Sequence, residues 1–225
     1  MGGIKFTDSN NNDCRWSNSN VRLYASTFYH WAGADYGSNW WGDHEIWIPH
    51  MWNNQTNEAL RNNTIGIQNS AFGQAALLYN TTGSRNTAVG RGALLYNTIG
   101  TDNSAFGMYA LLQNTTGIYN SAFGRGALQS NSSGGANSAF GRMALNYNTV
   151  GGNNTAVGFR SMRANTTGRF NTALGYDSLT TNTTGNYNTA SGYGSLYSNT
   201  TGNSNTASGY EALYTNTTGA SNTAS

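Results

Sequence analysis

The side chains able to do chemistry crowd toward one end of the chain. All three histidines (His30, His44, His50) and all six tryptophans (Trp16, Trp31, Trp40, Trp41, Trp47, Trp52) precede residue 53, among Asp35, Asp43 and Glu45. A pair of near carboxylates is what glycan hydrolysis requires, one as acid and one as base or nucleophile. Closeness in sequence is thin support for such a pair, so no catalytic residue is assigned. His30, His44, Asp43 and Glu45 have the ligand chemistry of a metal site. Neighbours such as His44 and Glu45 diverge on a strand, however, and neither a metal nor a cofactor is expected. Trp31, Asp35, Tyr36, Trp40, Trp41, Asp43, Trp47 and Trp52 suit a platform for sugars, with aromatic faces for ring stacking and carboxylates for hydroxyls. The favoured reading of residues 1–51 is a cap whose tryptophans cover the open end of a repetitive core.

What must position these residues is periodic. From Asn69 the chain repeats every 17 residues, with anchors at Asn69, Asn86, Asn103, Asn120, Asn137, Asn154, Asn171, Asn188, Asn205 and Asn222. Counted from the anchor, the unit is N-[TS]-A-x-G-x-x-[AS]-[LM]-x-x-N-[TS]-x-G-x-x. A degenerate copy spans 52–68, with Ala59, Leu60, Asn63, Thr64 and Gly66 in phase. A fixed short period is the signature of a solenoid, here over 52–225. Charged residues are only 9% and Asn, Thr, Ser and Gly dominate, as in disordered segments. Disorder would not keep Leu at one place from Leu60 to Leu213, replaced only by Met162. A stacked core would.

Two glycines per unit argue against helix, and the Thr-Ala-Val alternation of 87–89 argues for strand. The unit length suggests two strands of about four or five residues joined by tight corners, one coil of a parallel β-solenoid or β-roll. The unvarying Ala of the third place and Gly of the fifth mark an enclosed strand, close enough for chains to approach one another. The fourth place, Phe72, Val89, Phe106, Phe123, Phe140, Val157 and Leu174, then Ser191, Ser208 and Ser225, reads as a buried seam turning polar. The last two places vary freely, as a solvated turn allows. So little apolar volume per coil barely offsets backbone entropy, and association of several chains would supply the missing burial.

Asn-Thr-Ala-Val-Gly-x-x-Ala at 86–93 resembles the repeat of the left-handed β-roll in YadA-like trimeric adhesin heads. The 17-residue form, as in 182–193, is similar to repeats of phage tail-fibre-like proteins. The resemblance covers about three quarters of the chain and implies a parallel homotrimer used for attachment. The adhesin repeat is shorter, its apolar Val is Thr or Ser here, and the membrane anchor and self-cleaving chaperone domain of such proteins are not in this sequence. Its expected partners are further copies of itself, other fibre or baseplate proteins and a cell-surface glycan.

Other chemistries are weighed against plainer structure. Asn80, Asn114, Asn131, Asn165, Asn182, Asn199 and Asn216 fit the glycosylation acceptor pattern. An internal Asn ladder explains them better, because Asn69 through Asn222 recur as strictly without that pattern. Too few acids remain after Asn69 for a calcium-loaded roll. Arg91, Arg125 and Arg142 share the sixth place with Phe159, Tyr176, Tyr193 and Tyr210, giving a basic row that continues as an aromatic one and is favoured as a solvated face. A net charge of +2 gives no footprint for nucleic acid, Cys14 has no partner for an intrachain disulfide, and no run is long enough to span a membrane. The start lacks the apolar core of an export signal, and the end at Ser225 falls partway through a unit. The first suits release by another route, as for virion parts, or a leader outside this sequence, and the second suits a portion of something longer or a subunit whose end docks on the next.

The expectation is a non-enzymatic segment of a virion tail or surface fibre, extracellular, that spaces and presents a glycan-binding site. The alternatives are a bacterial surface adhesin or matrix filament and, third, a glycan-active enzyme.

Overall fold

A computed structural model describes residues 58–225 and the backbone of Ile46–Trp47. It is an all-β parallel solenoid with coils of 17 residues. Strands β1 (Ile46–Trp47), β2 (Ser70–Phe72), β3 (Thr87–Val89), β4 (Ser104–Phe106), β5 (Ser121–Phe123), β6 (Ser138–Phe140), β7 (Thr155–Val157), β8 (Thr172–Leu174), β9 (Thr189–Ser191), β10 (Thr206–Ser208) and β11 (Thr223–Ala224) form one parallel sheet in chain order. From β2 onward each strand pairs with the residue 17 further on, Ala71 with Ala88 and so forth. β1 instead pairs Ile46 with Ser70, an offset of 24. The in-phase part of the degenerate unit stacks on the next coil, Leu60 N–H donating to Ala76 O at 3.0 Å.

Each coil has one strand, not the two expected. The Asn-Thr-x-Gly segment runs beside its neighbours, but its backbone does not alternate. Thr98 O accepts from Thr81 N (2.9 Å), Thr82 N (3.1 Å) and Gly83 N (3.3 Å), and from Thr81 Oγ1 (2.9 Å). One carbonyl collects donors that a β-ladder would share among several.

The carbonyl of the fifteenth-place Gly turns inward. Gly100 O accepts from Asn86 Nδ2 (2.8 Å) and from Asn97 Nδ2 (3.0 Å), the two Asn of its own coil. Each Asn also bonds its equivalent one coil back, Asn97 Nδ2 to Asn80 Oδ1 at 2.7 Å and Asn86 Nδ2 to Asn69 Oδ1 at 3.2 Å. Asn69 Oδ1 further accepts the Asn86 N–H at 3.0 Å. These amides are wholly buried, so the interior is half polar and its hydrogen bonds are made within it. Of the acceptor-pattern residues, Asn80, Asn114, Asn131, Asn165, Asn182 and Asn199 are fully buried with Nδ2 engaged in this ladder.

The apolar half is Ala of the third place, Ala or Ser of the eighth and Leu of the ninth. The ninth-place residues all take left-handed backbone, with φ between 50° and 53° from Leu60 to Leu213. The seventh and seventeenth places are left-handed too, as at Arg160 (φ 52°) and Tyr119 (φ 58°). That conformation is worst for β-branched side chains, and none of these three places holds Val, Ile or Thr anywhere in the described coils. Leu and Met therefore fill the core where Ile or Val would strain it.

The two invariant glycines serve different ends. At the fifth place φ lies between 126° and 139°, open only to Gly. The fifteenth place has no such angle, but a Cβ on Gly117 would lie within 2.8 Å of Gly134 O, Asn114 Oδ1 and Asn131 Nδ2. Space forbids the side chain there.

Two readings of the strand are corrected. The unvarying Ala points into its own chain's core and is buried from Ala71 to Ala207 without any partner, so its size answers to the narrow interior rather than to chains approaching. The fourth place is no buried seam: in every strand from β2 to β10 only the central residue is buried. Strand alternation puts the fourth place on the outer face, beside the Ser or Thr of the second.

Two substitutions follow. Leu128→Ile should cost about 1–3 kcal/mol more than Leu128→Met in urea unfolding, because it adds strain at the left-handed residue. Gly117→Ala should lower stability by about 1–3 kcal/mol through overpacking of the Asn ladders.

Candidate binding surface

The residues that the sequence singles out for binding, Trp31, Asp35, Tyr36, Trp40, Trp41, Asp43 and Trp52, lie outside the described residues, as do His30, His44, Glu45 and most of the proposed cap. Trp47 is described only as backbone, in β1. The surface that can be built upward from sequence is that of the coils. Because each place recurs one coil on, a side chain on the outside meets its own equivalents above and below.

On the strand face this makes an apolar row. Phe106 and Phe123 stack with centroids 4.7 Å apart, and Phe123 and Phe140 at 5.0 Å. Val157 and Leu174 continue the row, with about 40% of each exposed. The signal for this placement was in the strand itself: Ser or Thr two residues before shares the face, and Ala between them takes the interior.

Around the fifth-place Gly lies the sixth-place row, and its basic part does run into its aromatic part. The Arg142 guanidinium sits 5.5 Å from the Phe159 ring centre, within cation–π range. Beyond it Phe159, Tyr176, Tyr193 and Tyr210 stack at 5.1, 5.3 and 5.2 Å. Stacking turns the ring faces toward one another and leaves edges and hydroxyls outward. Sugars pack on faces, so between its ends this row is a brace rather than a platform.

Half of the charged groups of the coils are held in pairs. Arg85 forms a two-pronged bond to Asp102 one coil on, at 2.6 and 2.8 Å. Hydrogen bonding to Arg85 holds the Asp102 carboxyl below its ordinary range, and the same bond raises the Arg85 guanidinium. Arg160 and Asp177 repeat the arrangement, with Thr180 Oγ1 3.3 Å from Asp177 Oδ1. Glu211 beside it raises the Tyr210 phenol, chiefly by its charge. Among the described residues no three His, Cys, Asp or Glu gather as metal ligands would, and no helix is long and apolar enough to cross a membrane.

No family model, curated protein or solved structure matches the chain.

The Asp102 pair has a pH signature. A carboxylate depressed on folding stabilises above its unfolded pKa, and that contribution is lost as pH falls through the folded one. Acidifying below the usual carboxylate range should lower the unfolding midpoint slightly more in the unsubstituted protein than in Asp102→Asn, as thermal melts at stepped pH would record. The pair is exposed, so the difference should be small.

Proposed function

We propose that the chain is a non-enzymatic shaft segment of a trimeric attachment fibre, a virion tail or surface fibre in the first instance, which holds a glycan-binding segment away from its anchorage. The observation that carries this reading is the apolar fourth-place row from Phe72 to Leu174. Seven large apolar residues stand in line on a parallel sheet, each about 40% exposed or less, and covering what remains of each against another chain is worth on the order of 1 kcal/mol. Copies packed in parallel and in register would match row to row along the whole shaft, and a closed symmetric association of this kind hides the rows without leaving one free.

The interior supports a mechanical role. Coil is tied to coil by two Asn ladders, by Thr hydroxyls such as Thr98 Oγ1 to Thr115 O (3.0 Å) and by the backbone. Asp102 and Asp177, two of the few acids in the coils, are each engaged with arginine, which argues against acid–base work on the shaft. Recognition is assigned to the Trp-rich segment before the coils, with Trp31, Trp40, Trp41 and Trp52 as its aromatic faces.

Mass in solution is the test. Light scattering at micromolar concentration should give three times the 24.0 kDa chain mass. The triple variant Phe106→Ser, Phe123→Ser and Phe140→Ser should run as a monomer with unchanged far-ultraviolet circular dichroism, because Ser already holds this place at Ser191 and Ser208. A stable monomer of the unsubstituted chain would overturn the shared-shaft reading.

A further inference from the structure

The coils keep their period throughout, but at one place on their outside the side chains shrink in two successive units. At the sixteenth place the chain reads Ser84, Thr101, Ile118, Gly135, Gly152, Arg169, Asn186, Asn203 and Ala220, so glycine occurs there in just two successive coils. Neither glycine has left-handed backbone. A Cβ would meet Ile118 O at 3.2 Å on Gly135 and Gly135 O at 3.0 Å on Gly152, contacts looser than those that forbid a side chain at the fifteenth place. Ile118 and Arg169, on either side, show that the same backbone carries large residues. The following place is small in the same two coils, Ala136 and Asn153, between Tyr119 and Phe170.

Removing these side chains leaves a recess of about 290 Å³, with Ile118 and Val150 as apolar lining, Ser133 and Asn153 as polar lining, and Tyr119 and Arg169 also on its boundary. Its size is near the lower limit of small-molecule sites, enough for a single ring. Tyr119 is 61% exposed and, among the described residues, stacks on no other ring, unlike Phe170, which lies 5.1 Å from Tyr187. An unstacked aromatic face is what the sixth-place row lacks. Among the described residues Arg169 makes no ion pair, while Arg85 and Arg160 are each neutralised by an aspartate. Its backbone N–H donates to Asn186 Oδ1 at 2.8 Å, which holds its turn in place.

We propose that this recess binds a sugar ring bearing a carboxylate. The ring's C–H face lies on Tyr119 and the apolar lining, its hydroxyls meet Asn153 and Ser133, and its carboxylate takes the planar fork of Arg169. A free arginine is what selects an acidic sugar over a neutral one. The site is open and shallow, so affinity per recess is in the millimolar range, about 4 kcal/mol. Repetition of the recess on associated copies would raise it by avidity, a gain that rests on the trimeric reading, whereas the binding itself does not.

The experiment uses saturation-transfer NMR and calorimetry on the full chain, with galacturonic acid, N-acetylneuraminic acid and galactose as probes. An acidic sugar should bind the unsubstituted protein, and Tyr119→Ala and Arg169→Ala should each weaken it by about tenfold or more, equal to 1.4 kcal/mol. Gly135→Ile, which places in the recess the side chain already present at Ile118, should abolish binding, with a melting temperature unchanged from that of Gly135→Ala. No binding of either acid at about 20 mM, well above a millimolar constant, overturns the proposal. So does binding that Gly135→Ile and Tyr119→Ala leave intact, and galactose bound as well as the acids overturns the role of Arg169. Solution mass is read on the same samples: a monomer that binds the acid in this way sinks the fibre reading and leaves the recess standing.

Discussion

The solenoid depends on one inward-facing carbonyl per coil. At Gly100 and its equivalents the oxygen accepts two side-chain amides, one from each Asn of the coil, and each amide's remaining N–H reaches back to the coil before. An unmet amide in such an interior costs about 1–3 kcal/mol, so the arrangement is all or nothing. Asp in place of Asn would bring buried negative charge with no donor for the carbonyl. Gln would place its amide one carbon too far. Gly is required because a Cβ would stand where those amides stand. The constancy of three residue types thus follows from a single acceptor.

Closing a coil in 17 residues then demands sharp turns, and the chain makes them with left-handed residues rather than with glycine alone. A left-handed non-glycine residue costs about 1–2 kcal/mol, and at the ninth place that cost is borne by a Leu buried completely. This is why the core residue is Leu or Met and why the freely varying seventh and seventeenth places still exclude β-branched side chains. The absence of Val, Ile and Thr from those columns was a readable sign of left-handed backbone.

Much of the fold was therefore legible. Strict period, the Leu column and the paired Asn columns gave the solenoid and its polar ladder. Strand number was not, because Asn-Thr-x-Gly satisfies β-propensity while its carbonyls serve the interior and a single shared acceptor, which no propensity records. The fourth place was misassigned because Phe and Val suggest burial, yet alternation ties them to the Ser or Thr two residues before. Hydrophobicity argued for the inside and geometry for the outside, and geometry prevailed. The recess was hidden for a different reason: Gly135 and Gly152 look like two more turn residues until the backbone at their place is seen to need no glycine.

Self-stacking also explains the composition. In an unbroken register any charged place would become a row of like charges about 4.8 Å apart, and like charges directly opposite one another are destabilising. Polar but uncharged Asn, Thr and Ser escape this and gain ladder hydrogen bonds. Where charge occurs on the coils it comes as opposite partners, one coil apart in Arg85 with Asp102 and Arg160 with Asp177 and within one coil in Arg61 with Glu58, or singly among neutral neighbours, as at Arg91, Arg163, Arg169 and Glu211. Arg125 and Arg142 are the exception, two cations in successive coils, and Arg142 lies against the Phe159 ring, whose face attracts the cation. Apart from these two and the Glu58–Arg61 pair within one coil, a charge on the solenoid is either neutralised by the next coil or isolated by it. Isolation is the condition under which Arg169, with Gly152 before it and Asn186 after it in the same column, is left free for a carboxylate from outside.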